Sequence, residues 1–125
     1  MKLSLDNNTS RYTIKSYETG SVTINHEQHS TSLVVTRETL ITPWGPEQLT
    51  ELNQGHIESL IELQPEIILL GTGNILSFPH PSLISIAMQH GIGFEVMDTG
   101  SACRTFNVLS SEDRNVAAAL IIDGE

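Results

Sequence analysis

Two short segments of this chain carry residue types that bind anions and move protons. Gly71-Thr72-Gly73-Asn74 offers backbone N–H groups and a hydroxyl, and Asp98-Thr99-Gly100-Ser101 offers a carboxylate and two hydroxyls. Cys103 and Arg104 follow, with Asn107 one helical turn after the cysteine. Glycine-containing loops that lead into helices hold anions through their N–H groups and the helix N-terminus. A thiol in a first helical turn is biased toward thiolate, and a guanidinium beside it can neutralise a carboxylate or phosphate. In such a site Asp98 is the general acid or base, Arg104 the anion clamp, and Cys103 a nucleophile only if its pKa is lowered.

Each of these residues also has a plainer role. Gly71-Thr72-Gly73 lacks the third glycine of a dinucleotide fingerprint and the lysine of a P-loop, and most such segments are only turns. Asp98 can cap the helix that follows it. Cys103 can be a small buried hydrophobe. Arg104 can tie to Asp98, Glu112 or Asp113, and Asn107 can satisfy buried backbone groups. His26-Glu27-x-His29 has one residue too few between its histidines for a zincin helix, and it reads as a solvated turn. His80, in Phe78-Pro79-His80-Pro81, reads as a cap. No catalytic residue, metal site or cofactor is assigned.

The elements that must position these residues come from periodicity. Before Pro65 the apolar residues alternate. The segments 12–17, 21–25, 32–36 and 40–42 read as strands, with turns at Glu18–Ser21 and His26–His29 and Trp44 plugging one end of the core. A helix is predicted between Leu52 and Gln64, with Asn53 as its cap and Ile57, Leu60 and Ile61 on its apolar face. After Pro65 a strand–helix rhythm sets in: strand 66–72, helix 81–90 with Leu83, Ile84, Ala87 and Met88 on one face, strand 93–98, helix 101–109, strand 116–122. Alternation of this kind implies parallel pairing. The predicted fold is a single α/β domain over residues 1–125. An N-terminal antiparallel β-meander (1–45) joins a helix and a β-α-β-α-β unit (46–125) with a mixed, partly parallel sheet. Ligands of such sheets sit beyond the carboxyl ends of the strands. That places the candidate pocket at Gly71, Thr72, Gly73, Asp98, Thr99, Cys103, Arg104 and Asn107.

Composition bounds the partners. The chain has 125 residues, and 6 Lys+Arg against 15 Asp+Glu give a formal net charge of −9. Nucleic acid and anionic membrane surfaces both call for a basic patch, so both are disfavoured. One cysteine allows no internal disulfide, which favours a reducing compartment. The segment Met1–Asn8 reads as neither signal nor transit peptide, and no run approaches the ~20 apolar residues of a membrane span. A cytoplasmic protein without membrane insertion is expected. Glu47, Glu51, Glu58, Glu62 and Glu66 read as an acidic helical face, with Arg104 and Arg114 gathered near the candidate pocket. The exposed meander edge makes a homodimer possible.

Longer segments carry a resemblance. They are Pro65-Glu66-Ile67-Ile68-Leu69-Leu70-Gly71-Thr72-Gly73, Gly91-Ile92-Gly93-Phe94-Glu95-Val96-Met97-Asp98-Thr99, Ala102-Cys103-Arg104-Thr105-Phe106-Asn107-Val108-Leu109 and Glu112-Asp113-Arg114-Asn115-Val116-Ala117-Ala118-Ala119-Leu120. Together they resemble a family of small α/β proteins that includes a mitochondrial complex I assembly factor, an adipogenesis-associated protein and many prokaryotic members. The resemblance is weak before Pro43 and strong after Pro65. It implies one α/β domain, no firmly established enzymatic activity, and animal members that act by interaction. The prokaryotic members are the nearer match, and a complex I role does not transfer directly.

Two functional readings follow. One is a non-enzymatic interaction or assembly-factor-like protein whose partner is unknown. The alternative is a protein or enzyme that takes a small anionic molecule in the loops 71–74 and 98–104.

Overall fold

A computed structural model of the chain describes residues 11–123. The segment Met1–Asn8, read above for targeting signals, lies outside the described residues. Among the described residues eight strands and three α-helices follow one another: β1 (Ile14–Glu18), β2 (Ser21–Ile24), β3 (Glu27–His29), β4 (Leu33–Val35), β5 (Leu40–Ile41), α1 (Gln54–Ile61), β6 (Ile67–Gly71), α2 (Pro81–Gln89), β7 (Gly93–Met97), α3 (Thr99–Ser111) and β8 (Val116–Leu120).

The strands form two sheets, one of three strands in the order β1-β2-β3 and one of five in the order β5-β4-β8-β6-β7. β6 pairs in parallel with both β7 and β8, and β4 pairs antiparallel with β8 and with the edge strand β5. The result is the expected mixed α/β domain, with one redistribution. The antiparallel N-terminal strands do not stay together: β1 to β3 form their own sheet, while β4 and β5 extend the parallel one. All three residues of β4 are buried, as suits a strand covered on both faces. A second correction concerns His26–His29, expected as a turn. Glu27–His29 is instead β3, pairing with β2 at the edge of the small sheet.

Side chains alternate between the faces of the five-stranded sheet and build two cores. Leu33, Val35, Leu69, Val116, Ala118 and Leu120 pack with Ile14, Val22 and Ile24 of the small sheet and with Ala102, Cys103 and Phe106 of α3. On the other face Val34, Ile68, Leu70 and Ala119 pack with Ile57 and Leu60 of α1, Ala87 of α2 and Ile92. The three alanines of β8 sit in a fully buried strand, with α3 packed close against one face.

The helices obey local rules. Asn53 caps α1, accepting from the His56 N–H at 3.1 Å, while His56 Nδ1 accepts from the Asn53 N–H in a reciprocal capping box. Pro81 occupies the first turn of α2, where its missing N–H costs nothing. Met88, expected on the apolar face of α2, is 62% exposed; Ile86 packs there instead. α3 starts at Thr99, two residues before its expected position, with Asp98 as its cap in the plainer role the sequence offered it.

Candidate functional site

The carboxyl ends of β6 and β7 are neighbours, so Gly71–Asn74 and Asp98–Ser101 do meet. They meet by closing on each other. The Gly73 N–H donates to Thr99 Oγ1 at 2.8 Å, and the Thr99 N–H donates back to the Gly73 carbonyl at 2.9 Å. The Thr99 hydroxyl donates to the Ile121 carbonyl at 2.7 Å. Thr72 Oγ1 donates to the Ile75 carbonyl at 2.8 Å and accepts from the Ser77 N–H at 3.2 Å. Thr72, Gly73, Thr99 and Gly100 are buried.

The glycines of this segment have steric duties. A Cβ on Gly71 would stand 2.9 Å from Thr99 Oγ1 and 3.0 Å from Thr99 Cα, so Gly71 lets α3 begin directly against β6. Gly73 has φ +106°, a region L side chains rarely adopt.

Asp98 closes the amino end of α3 from outside. Its Oδ1 accepts from the Ser101 N–H at 2.9 Å and its Oδ2 from the Ser101 hydroxyl at 3.1 Å. The backbone donation from Ser101 leads in holding the Asp98 carboxyl below its usual range, with smaller help from the Ser101 hydroxyl and the Arg104 charge. Arg104 Nη2 donates to the Ser101 hydroxyl at 3.2 Å, so Arg104, Ser101 and Asp98 form a short chain over the helix end. An anion at this N-terminus would compete with the carboxylate already there.

Cys103 is 3% exposed. Burial pushes its thiol up to about 12, and the Asp98 charge adds to that, against a lowering from Arg104. The neutral thiol therefore dominates at physiological pH, contrary to the thiolate bias expected from its place in the helix. Asn107 serves β1: its Oδ1 accepts from the Ile14 N–H at 3.1 Å and its Nδ2 donates to the Ile14 carbonyl at 2.7 Å. The amide thus stands in for a neighbouring strand where β1 has an irregular register between Ile14 and Ser16.

Four of the eight candidate residues line two separate concavities, and Gly71, Gly73, Asp98 and Thr99 line neither. Gly100, Cys103, Arg104 and Asn107 line a cleft of about 170 Å³ against β1, together with Lys15 and Tyr17. Thr72 opens instead on a cleft of about 480 Å³ whose walls include Glu47, Ile75 and Asp123. Arg114 belongs to neither. Its Nε donates to Glu66 Oε1 at 3.0 Å, near the amino ends of the parallel strands, so it is not gathered with Arg104 as the charge pattern implied. Asp113, offered above as a partner for Arg104, pairs with Arg37 at 3.0 Å.

Tyr17 escaped the sequence reading. Its hydroxyl donates to Asn74 Oδ1, its ring lies against Gly100, and burial first, then nearby Cys103, Asp98 and Asp123, raise its phenol pKa. No local signal marks a tyrosine that meets its partner 57 residues away. The exposed Ile75, Leu76 and Phe78 were missed too. Their signal was available: three large apolar residues in a segment with no helical or strand periodicity.

Among the described residues no group of His, Cys, Asp and Glu is arranged to hold a metal ion, and no helix is long and apolar enough to cross a membrane.

Comparison with known proteins adds four matches. A family model described as a protein of unknown function (DUF498/DUF598) matches residues 14–121. The Mus musculus protein named NADH dehydrogenase (ubiquinone) 1 alpha subcomplex assembly factor 3 is 45% identical over 62 residues, 50% of this chain and 34% of that one. The chain spans 34% to 45% of the length of the first assembly-factor relatives it matches. A Francisella tularensis protein named 13 kDa major membrane protein is 26% identical over 108 residues, 86% of this chain and 88% of that one. A solved Xanthomonas campestris protein superposes with a TM-score of 0.85 at 31% identity, covering 99% of this chain and 94% of that one.

Proposed function

This chain belongs to the DUF498/DUF598 family, and from that premise we propose that it is a non-enzymatic, assembly-factor-like protein that acts by binding another polypeptide. One observation carries the reading. The polar groups at the carboxyl edge of the parallel sheet, where an α/β enzyme exposes its chemistry, are taken up by one another: Gly73 with Thr99, Thr99 with Ile121, Thr72 with Ile75 and Ser77. The names of the assembly-factor relatives support the same direction at family level. We take the cytoplasm as the working compartment, and a lone buried thiol fits reducing surroundings. The test is recovery of the tagged chain at native level from its host, after cross-linking, with quantitative mass spectrometry. A stoichiometric partner protein is expected, and its consistent absence would sink the proposal.

A second reading rests on the 170 Å³ cleft, which Lys15 and Arg104 line without a carboxylate between them among its walls. It takes a small carboxylate or phosphate there. Nuclear magnetic resonance titration with citrate and inorganic phosphate separates the two readings. Saturable shifts at Lys15, Gly100, Arg104 and Asn107, lost in Arg104→Glu, would favour the small anion.

A further inference from the structure

The segment between β6 and α2 turns its apolar side chains outward. The Thr72 hydroxyl pins it from below by its bonds to Ile75 and Ser77. Pro79 is buried, and His80 Nδ1 accepts from the Ser82 N–H at 3.1 Å as the cap of α2. Between these anchors Ile75 is 77%, Leu76 49% and Phe78 68% exposed. Scattered exposed apolar residues are ordinary on a protein surface. Three within four residues, fastened at both ends, form a patch of the kind that marks interaction surfaces. Fastening matters because an ordered surface loses less conformational entropy on binding.

The patch has company. Beside it a cleft of about 300 Å³ is walled by Leu49, Leu52, Leu83 and Phe78. Sharing Leu49, Thr50 and Ser77 with it, the 480 Å³ cleft carries Glu47 and Asp123 beside Ile75, and the Glu51 carboxylate reaches the same turn, accepting from the Glu47 N–H at 2.8 Å. None of the five Lys and Arg residues among those described lines either cleft. An apolar ridge thus runs beside an acidic flank.

We infer that this surface docks a basic amphipathic segment of a partner protein, with apolar side chains over Ile75, Leu76 and Phe78 and Lys or Arg toward Glu47, Glu51 and Asp123. The inference rests on the protein-binding reading and adds to it the surface and the chemistry of the partner. A second copy of this chain would set two acidic flanks face to face, each on a molecule of net charge −9. An anionic bilayer would meet the same repulsion. A partner of opposite charge gains both the apolar contact and electrostatic complementarity.

The test titrates the full isotope-labelled chain with a helical Leu/Lys peptide of about 18 residues, leucines spaced at one helical face, and with its Leu/Glu counterpart. Saturable shifts are expected, confined to residues 47–52 and 72–83, with the Leu/Glu peptide roughly tenfold weaker or more. The double variant Ile75→Ser/Phe78→Ser should lose the shifts while the rest of its spectrum is unchanged. The contrast between the two peptides on the unmodified chain does not depend on how that variant folds. Shifts elsewhere, or none, overturn the inference. So does binding to phosphatidylglycerol vesicles, or dimerisation in sedimentation, that the double variant abolishes, since the patch would then serve lipid or a second copy. Failure of the reading beneath it looks different: no partner is recovered from the host at all. A host partner that the unmodified chain and the double variant recover equally overturns the surface alone.

Discussion

Gly73 and Thr99 hydrogen-bond each other twice, N–H to hydroxyl at 2.8 Å and N–H to carbonyl at 2.9 Å, across 26 residues of sequence. The first of these bonds runs on through the Thr99 hydroxyl, which donates to the Ile121 carbonyl at 2.7 Å. One buried side chain thereby joins the loop after β6, the start of α3 and the exit of β8.

Thr99→Val keeps the shape and deletes the hydroxyl. It leaves the Gly73 N–H and the Ile121 carbonyl short of a partner in a buried place, a loss of about 1–3 kcal/mol. Urea unfolding should show a lower midpoint with an unchanged slope, and Thr99→Ser should recover much of the difference. A valine variant as stable as the parent would mean that water replaces the hydroxyl.

Gly71→Ala probes the contact below that hydroxyl. The new methyl would sit 2.9 Å from Thr99 Oγ1, 3.0 Å from Thr99 Cα and 3.1 Å from Leu120 Cδ2. Backbone cannot yield as a flexible side chain can, so α3 must shift away from β6. The expected cost is about 1–3 kcal/mol, read as a lowered melting temperature with amide shifts concentrated at residues 97–101. An alanine variant with neither change would show that α3 is free to slide.

The β-α-β-α-β half was legible because its signals are local. Ile67–Leu70 is an unbroken aliphatic run, Pro81 opens a helix, and Ala102, Phe106 and Leu109 recur on one helical face; the strands and helices stand where these residues place them. The division of the N-terminal strands between two sheets was not read. Alternation reports that a strand has a buried face, not which sheet covers it. Only Leu33-Val34-Val35, apolar on both faces, separates β4 from the half-polar β1 and β2. β3 was lost because Glu27-Gln28-His29 lies at a sheet edge, where the polar Glu27 and Gln28 face water and leave no apolar alternation. In the candidate site, adjacency of the two loops followed from parallel pairing, whereas closure did not. Whether Thr99 offers its hydroxyl to a ligand or to Gly73 depends on a separation that spacing does not encode.

Asp98 makes stability depend on acid. Its folded pKa lies below the unfolded value of ~3.9. Its contribution is therefore complete above the unfolded pKa and lost as pH falls through the folded one. Asp98→Ala should cost about 0.5–2 kcal/mol at neutral pH as a lost cap. Asp98→Asn keeps a capping oxygen and loses only the charge at the helix end, about 0.3–1 kcal/mol. Between pH 5 and pH 2 the stabilities of the parent and Asp98→Asn should converge, since protonation removes the same charge. Curves that stay parallel in acid would count against the carboxylate as cap.

Cys103 should show the opposite dependence, in alkali. The thiol is pushed up to about 12 in the folded chain by burial, against ~8.5 for an unfolded cysteine. The folded state then holds its proton over a range where the unfolded state has released it. Stability from this group is complete below ~8.5 and falls as pH rises toward the folded value, with a limiting slope of ~1.4 kcal/mol per pH unit. Cys103→Ala has no such proton, so its deficit against the parent should shrink steadily from pH 8 to pH 10.5. Alkaline groups away from Cys103 titrate alike in both proteins and cancel in the difference, whereas Tyr17, raised in part by Cys103, does not cancel fully. The same burial predicts that a thiol reagent at pH 8 modifies the native chain only at the rate of its opening, and urea should release a full equivalent at once. Rapid native labelling, or a deficit that stays constant with pH, would show that the thiol reaches solvent, and would return Cys103 to the list of reactive groups.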